Sequence, residues 1–481
     1  MKTHASRLLL RGCLDATART QKRITIMHRR ITLAFLTLSV WLGPQAALAQ
    51  GTLLWQQTLN GTANFFDVAL SVAVDNQGNV LAAGYTDNTG TGRDFTVAKF
   101  ARDGTLLWEQ ALNGSANDAD EAVSVAVDNQ GNVLAAGYTT NTGTSHDITV
   151  AKFARDGTLL WEQALNGSAN DADEAYSVAV DNQGNVLAAG YTRNTGTGED
   201  FTVAKFARDG TLLWQQTLNG TANGFDFASS VAVDNQGNVL AAGQIVNTRT
   251  DGDFTVAKFA HDGTLLWQQT LNGSANFVDV AFSVAVDNQG NVLAAGKTWN
   301  TGTGVDFTVV KFARDGTLLW QQALSGTAND INDISEEEAL SVAVDTQGNV
   351  LAAGYTRNTG TGEDFTVAKF ARDGTLLWQQ TLNGTANAID VALSVAVDNQ
   401  GNVLAAGQVS NTRTSTYFFT DFTVAKFAGD GTLLWQQTLN AANAFDGALS
   451  VAVDNQGNVL AAGSTTNTVT ASDFTVAKFD R

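Results

Sequence analysis

An internal repeat dominates this sequence of 481 residues. The pentapeptide Gly-Thr-Leu-Leu-Trp begins at eight positions, namely 51, 104, 157, 210, 263, 316, 374 and 431. The first five intervals are 53 residues long, and the last two are 58 and 57 residues long. Self-similarity at a period of this size indicates a solenoid, a propeller or an array, in which each unit buries its apolar surface against its neighbours.

Each unit has the pattern of four short β-strands. In the first unit they are predicted over residues 53–59, 69–75, 80–86 and 95–101, with turn residues in the gaps between them. Both faces of the inner strands are apolar or small. A sheet covered on both sides fits the stacked blades of a propeller better than a two-layer sandwich, where one face of each strand is solvated. We therefore expect an all-β fold, an eight-bladed β-propeller of four-stranded blades.

The order of the strands predicts how the ring closes. The repeat region begins with a Trp-bearing strand, and its last strand, residues 474–479, corresponds to the strand that precedes the Trp strand in every other unit. If the Trp strand is outermost, residues 53–59 complete the last blade beside residues 474–479, and no long edge is left unpaired there. Residues 51–481 are thus expected to form a single domain.

Residues 1–49 differ in composition and are interpreted as a secretory signal segment. A cationic stretch from Met27 precedes an apolar run, and small residues permit cleavage between Ala49 and Gln50. The apolar run of about 12 residues is shorter than the roughly 20 that span a bilayer, so no membrane span is expected after cleavage. A retained anchor is the alternative, and translation can start at Met1 or at Met27. We expect a secreted or periplasmic protein of a bacterial cell envelope.

Composition argues against several classes of function. The eight units contain 20 Lys or Arg and 46 Asp or Glu, which disfavours nucleic acid as a partner because its phosphates require a basic surface. The single cysteine, Cys13, excludes intrachain disulfides and thiolate metal clusters. His146 and His261 lie in different kinds of connection, and no zinc spacing, nucleophile elbow or phosphate-binding loop occurs. Carboxylate pairs such as Asp118/Asp120 keep a glycosidase-type enzyme as an alternative.

The units are similar to the bacterial β-propeller repeats usually called SBBP repeats. The resemblance is carried by Asp67-x-Ala69, residues 71–75, Gly78-Asn79, Ala83-Gly84 and residues 94–100, which have counterparts in every later unit. It covers residues 51–481 and implies an exported propeller, without implying an activity.

A second resemblance rests on Asp103-Gly104 followed by Trp108. This segment is similar to the tryptophan-docking segment of eight-bladed quinoprotein dehydrogenases and outer-membrane assembly scaffolds. Those dehydrogenases hold a quinone cofactor and calcium, often beside adjacent cysteines, which the eight units lack.

Residues shared by all units are attributed to the blade itself. The eight repeated tryptophans are expected to pack between neighbouring blades, because large aromatics dominate core burial. Lys99 and its counterparts are expected along blade edges, with their stems over apolar surface. An acidic residue before each inner strand either binds a cation, with Ca²⁺ as the candidate, or accepts hydrogen bonds from local backbone N–H groups. No other cofactor is expected. These acidic residues are Asp67, Asp120, Asp173, Asp226, Asp279, Asp390 and Asp446, with Glu337 at the sixth position.

Differences between the units are confined to two connections, which the alternating strand directions place on one face. The loop before the inner strand expands to residues 330–338 in the sixth unit, and the loop after the second strand expands to residues 415–420 in the seventh. Binding residues concentrate on variable loops of rigid scaffolds. The candidate partner-binding residues are Tyr417, Phe418, Phe419, Trp299, Glu336, Glu337 and Glu338.

The sequence therefore predicts an exported, monomeric, non-enzymatic propeller that binds a protein or glycan partner through this variable face. The alternatives are a quinoprotein-like or glycosidase-type enzyme and a purely structural component of the cell envelope.

Overall fold

The computed structural model describes residues 50–328, 337–413, 418–439, 444–467 and 471–481. They form an eight-bladed β-propeller of 32 strands, in which each blade is a four-stranded antiparallel sheet. The predicted signal segment, residues 1–49, lies outside the described residues. No helix in the described part of the chain is long and apolar enough to cross a membrane.

In the first four blades, each strand pairs with the next strand along the chain, from the innermost to the outermost. Blade 1 consists of β2 (Val68–Val74), β3 (Val80–Asn88), β4 (Gly92–Phe100) and β5 (Leu106–Leu112). Blade 2 consists of β6 (Glu121–Val127), β7 (Val133–Asn141), β8 (Ser145–Phe153) and β9 (Leu159–Leu165). Blade 3 consists of β10 (Glu174–Val180), β11 (Val186–Asn194), β12 (Gly198–Phe206) and β13 (Leu212–Leu218). Blade 4 consists of β14 (Phe227–Val233), β15 (Val239–Asn247), β16 (Asp251–Phe259) and β17 (Leu265–Leu271).

The last four blades repeat this order, except that blade 8 takes its outermost strand from the start of the repeat region. Blade 5 consists of β18 (Val280–Val286), β19 (Val292–Asn300), β20 (Gly304–Phe312) and β21 (Leu318–Leu324). Blade 6 consists of β22 (Glu338–Val344), β23 (Val350–Asn358), β24 (Gly362–Phe370) and β25 (Leu376–Leu382). Blade 7 consists of β26 (Val391–Val397), β27 (Val403–Arg413), β28 (Phe418–Phe427) and β29 (Leu433–Leu439). Blade 8 consists of β30 (Gly447–Val453), β31 (Val459–Asn467), β32 (Ala471–Phe479) and β1 (Leu53–Leu59).

The predicted closure of the ring is confirmed. Leu53 pairs with Phe479 and Leu59 pairs with Phe474, so β1 completes the eighth sheet. The Asp480 N–H donates to the Thr52 carbonyl at 2.8 Å, and the Gly51 N–H donates to the Asp480 carbonyl at 3.2 Å. These are the hydrogen bonds that a continuous turn makes in the other blades, so two chain segments separated by the whole repeat region reproduce one hairpin.

The core lies between the blades. A typical interface packs Phe95 and Val97 of blade 1 against Val125, Val133 and Phe153 of blade 2, all of them buried. The innermost strands are also joined by a side-chain hydrogen bond, because the Val178 N–H in blade 3 donates to the Ser124 Oγ in blade 2 at 3.2 Å. Each of the eight interfaces has this bond, including the one that joins blade 8 to blade 1.

Candidate functional site

Two kinds of connection lie on one face of the propeller, which we call the loop face. They are the loops from an outermost strand to the next innermost strand, such as residues 113–120, and the hairpins between the second and third strands, such as residues 89–91. The opposite side, the hairpin face, carries the turns at residues 75–79 and 101–105 and their counterparts. The separation of variable and invariant connections that the sequence predicts is therefore present in the structure.

The hairpin face contains a repeated buried ion pair, and its lysine was wrongly predicted from the sequence to lie along the blade edges. In blade 3, the Asp181 Oδ1 accepts the N–H groups of Gln183 and Asn185, both at 2.9 Å. The Lys205 Nζ lies 3.0 Å from the other carboxylate oxygen, and both side chains are buried. The equivalent Lys99 is 1% exposed, so these lysines lie inside the blades and not along their edges. The eight pairs are Lys99–Asp75, Lys152–Asp128, Lys205–Asp181, Lys258–Asp234, Lys311–Asp287, Lys369–Asp345, Lys426–Asp398 and Lys478–Asp454.

The repeated tryptophans pack between blades, as predicted. The Trp161 Nε1 in blade 2 donates to the Arg208 carbonyl in the β12–β13 turn of blade 3 at 3.0 Å. The Lys152 Nζ donates to the same carbonyl at 3.4 Å. A Cβ on Gly210 would lie 2.9 Å from the Trp161 ring, so only glycine permits this approach. The tryptophans therefore join neighbouring blades.

The candidate cation ligands are tied to backbone groups. In blade 3, Asp173 accepts the Gly167 N–H at 2.7 Å on one oxygen and the Arg193 N–H at 2.5 Å on the other. Burial raises its pKa to about 6, although these two hydrogen bonds oppose the rise. Burial likewise raises the pKa of Asp67, Asp120, Asp226 and Asp390 to about 6, and that of Asp279 and Glu337 to about 7.

These carboxylates fasten the variable connections to the blades, which is the local role that the sequence left open as the alternative to cation binding. One lies at each blade interface, and among the described residues no three His, Cys, Asp or Glu side chains gather into a metal-binding group. A cation site at this ring stays a prediction.

The two described glutamates of the predicted acidic patch are buried. Glu337 accepts the Gly326 N–H at 2.7 Å and the Arg357 N–H at 2.9 Å, both on its Oε1. The N–H groups at these positions bind the aspartate in other blades, such as blade 3, although that aspartate uses both of its oxygens. Glu338 is fully buried in β22, with its Oε1 2.6 Å from the Lys297 Nζ of blade 5. This position differs from the expected exposed patch, because Glu338 starts an innermost strand. Glu336 lies outside the described residues.

Glu338 belongs to a group of polar side-chain contacts between blades that was not predicted from the sequence. Arg93 of blade 1 reaches Glu121 of blade 2 at 3.0 Å, and the His146 Nδ1 of blade 2 lies 3.1 Å from the Glu174 Oε1 of blade 3. These contacts could have been found in the sequence from the first residue of the innermost strand, because this residue is Glu in only three blades. These positions show that variation extends from the connections into the start of the innermost strands.

Exposed aromatic and aliphatic side chains occur on the loop face. Phe277 is 51% exposed, and its ring centroid lies 4.6 Å from that of Trp299. Phe65 and Ile389 are both 42% exposed. Trp299 therefore lies on the loop face as predicted, in contact with an exposed neighbour.

The second predicted aromatic group is only partly described. Phe419 contacts Phe445 of the next blade, with ring centroids 5.6 Å apart. Phe418, the first residue of β28, pairs through its backbone with Arg413, the last residue of β27. Tyr417 lies outside the described residues. Partner binding by these residues stays a prediction.

A further aromatic cluster joins blades 3 and 4 and was not identified from the sequence. Tyr176 packs against Tyr191 and edge-on against Phe227, with centroid distances of 5.9 and 6.1 Å. Phe225 contacts both Tyr191 and Phe227, at 5.2 and 5.1 Å. The aromatic side chains of blades 3, 4 and 5 thus lie in one sector of the loop face.

Comparison with known proteins identifies relatives of this chain. A family profile described as outer membrane protein assembly factor BamB matches residues 146–411, from β8 in blade 2 to β27 in blade 7. An uncharacterized WD repeat-containing protein of Acanthamoeba polyphaga mimivirus is 24% identical over 456 residues. That alignment covers 74% of this chain and 30% of the viral protein, so the chain spans less than a third of that relative's length.

Two solved structures are also similar to this chain. A protein of unknown function from Bacteroides caccae is 18% identical, with 60% of this chain and 90% of that chain covered and a TM-score of 0.35. PorZ, a surface component of the type-IX secretion system of Porphyromonas gingivalis, is 13% identical, with 87% and 59% covered and a TM-score of 0.41. Of the two resemblances found in the sequence, the family match supports the one to outer-membrane assembly scaffolds.

Proposed function

This chain belongs to the family described as outer membrane protein assembly factor BamB, and we propose that it is a non-enzymatic scaffold of the cell envelope that holds a partner protein on its loop face. The family description supports a role in assembly. Residues 27–49, which have the pattern of a secretory signal, support export to that compartment. The likeness of the units to SBBP repeats supports the same location, because that family is mostly exported.

The observation that carries the proposal is the difference between the two faces. Eight nearly identical ion pairs and tryptophan contacts make the hairpin face uniform, whereas the loop face has a different set of side chains in each blade. Exposed Phe277, Phe65 and Ile389 lie on connections that are held by buried hydrogen bonds. Rigidly held aromatic side chains are typical anchors of protein interfaces, because they bury a large area with little loss of conformational freedom.

The test is capture of partners by tagged full chains expressed in the native host. Phe277→Ser removes an exposed anchor from the loop face, and a hot-spot loss of about 2 kcal/mol would weaken binding roughly 30-fold. Leu266→Ser is the matched control, because Leu266 in blade 4 is also 51% exposed but follows a turn of the hairpin face.

We expect the same envelope protein to be recovered with the wild type and with Leu266→Ser, and lost with Phe277→Ser, at unchanged melting temperatures. Loss of that protein with Leu266→Ser but not with Phe277→Ser would contradict the proposal.

A further inference from the structure

The charges of the propeller are divided unequally between its two faces. Among the described residues, the loop-face connections and the strand ends beside them contain 25 acidic residues and six Lys or Arg. The other described residues of the repeat region contain 18 acidic residues and 14 Lys or Arg. Most of the net negative charge of the described residues therefore belongs to the loop face.

The two faces also differ in how far their acidic residues are paired with Lys or Arg. On the hairpin face, eight of the acidic residues are paired with the buried lysines described above. On the loop face, three of the cations are already engaged, since Arg93 contacts Glu121, Lys297 contacts Glu338, and Arg193 contacts both Asp171 and Glu199. Acidic residues still outnumber Lys and Arg on this face once these pairs are counted, so the loop face keeps a net negative charge.

An exposed carboxylate, Asp251, lies on the hairpin next to the Phe277–Trp299 pair. The Asp279 N–H donates to the Gly252 carbonyl at 2.7 Å, which holds the connection that carries Phe277 against the hairpin that carries Asp251. Asp251 is exposed, and so is Asp118, which occupies in the loop before β6 the position that Phe277 occupies in the loop before β18. Apolar anchors and negative charge thus share one sector of the loop face, from blade 2 to blade 5.

We infer that the partner docks on this sector through a segment rich in Lys and Arg that also carries apolar side chains. This inference rests on the proposed function and adds the chemistry of the partner. A surface of one sign raises the local concentration and the association rate of an oppositely charged partner. The apolar side chains of the segment cover Phe277 and Trp299, and its cations lie over the surrounding carboxylates.

The experiment measures binding of three fluorescent 20-residue peptides to the full chain. The first alternates Lys with Leu and Phe, the second replaces each Lys with Glu, and the third replaces each Leu and Phe with Ser. We expect binding of the first peptide only, with an affinity that falls at least tenfold between 50 and 500 mM NaCl because salt screens exposed charges.

Two matched variants locate the site. Asp118→Asn, Asp171→Asn and Asp251→Asn together remove three charges from the loop face. Each Asn keeps one side-chain acceptor oxygen, and Asn tolerates the positive φ of 62° at position 251. Asp103→Asn, Asp156→Asn and Asp209→Asn together remove three charges from exposed turns of the hairpin face. The first variant should weaken binding of the Lys peptide about tenfold, since each exposed pair contributes modestly, and the second should leave it unchanged.

The results separate this inference from the proposed function. Three results would overturn the inference that the partner docks through a basic segment. They are equal binding of the Lys and Glu peptides, binding of neither peptide, and equal loss of binding in both variants. Recovery of a native partner that depends on Phe277 but not on salt would also overturn it, while leaving the scaffold role intact. Failure of Phe277→Ser to affect native capture would instead count against the proposed function itself.

Discussion

Replacement of Lys205 by Met tests the buried ion pair that repeats in every blade. The Lys205 Nζ lies 3.0 Å from Asp181, and the two side chains are 3% and 4% exposed. Met occupies a similar volume but leaves a buried carboxylate without its counterion. Breaking a buried pair by removing one partner costs about 3–5 kcal/mol. The Coulomb energy of two unit charges 3.0 Å apart is of similar size, about 5.5 kcal/mol at an effective dielectric constant near 20. We expect the free energy of unfolding to fall by about 3 kcal/mol, since Asp181 keeps its hydrogen bonds to Gln183 and Asn185.

Guanidinium chloride unfolding, followed by tryptophan fluorescence, measures this loss. Arg208→Met is the control, because Arg208 is exposed in the adjacent turn and its replacement should change the free energy by less than about 0.5 kcal/mol. Adding Asp181→Asn to Lys205→Met removes the uncompensated charge and should restore part of the stability. A loss below about 1 kcal/mol for Lys205→Met, or a double variant less stable than the single one, would refute the reasoning.

Three further predictions concern the scaffold. Ser124→Ala leaves the buried Val178 N–H without its acceptor and should lower the free energy of unfolding, measured with denaturant, by about 1–3 kcal/mol. An unchanged unfolding midpoint would contradict a stabilising role for the hydrogen bonds between innermost strands. Gly210→Ala should lower the free energy of unfolding by more than Gly196→Ala. Both glycines have a positive φ, of 91° and 94°, but only a Cβ at position 210 would meet a tryptophan ring. Equal losses in the two variants would show that backbone strain alone matters. Burial raises the pKa of Asp173 to about 6 from 3.8, so the folded state binds more protons between these values and stability falls as pH rises through that window. The melting temperature should therefore be higher at pH 5 than at pH 8, and Asp173→Asn should reduce the difference; a higher melting temperature at pH 8 would contradict the assignment.

The repeat was sufficient to predict the architecture, because period and strand pattern constrain it strongly. Eight copies of a four-strand pattern, with a Trp strand first and its partner last, leave one way to close the ring, and Leu53 does pair with Phe479. The predicted strands agree with the observed ones at β1, whereas β3 extends to Asn88 and β4 begins at Gly92 because their hairpin ladder continues to the turn.

Burial of charged side chains was the main feature that the sequence did not reveal. Lys99 and Glu338 were expected to be exposed, as charged residues usually are, but each lies opposite a charge from another strand or blade. The contact between Tyr176 and Phe227 depends on two blades meeting, at a separation of 51 positions along the chain. Such contacts are set by the geometry between blades, which a local pattern does not specify.

Site-specific photo-cross-linking in the native envelope tests the central claim most directly. A photoreactive side chain is placed at position 277 on the loop face or at position 266 beside the hairpin face, in otherwise unaltered full-length protein. The account predicts a partner adduct from position 277 and none from position 266. Adducts from position 266 alone would contradict the assignment of binding to the loop face.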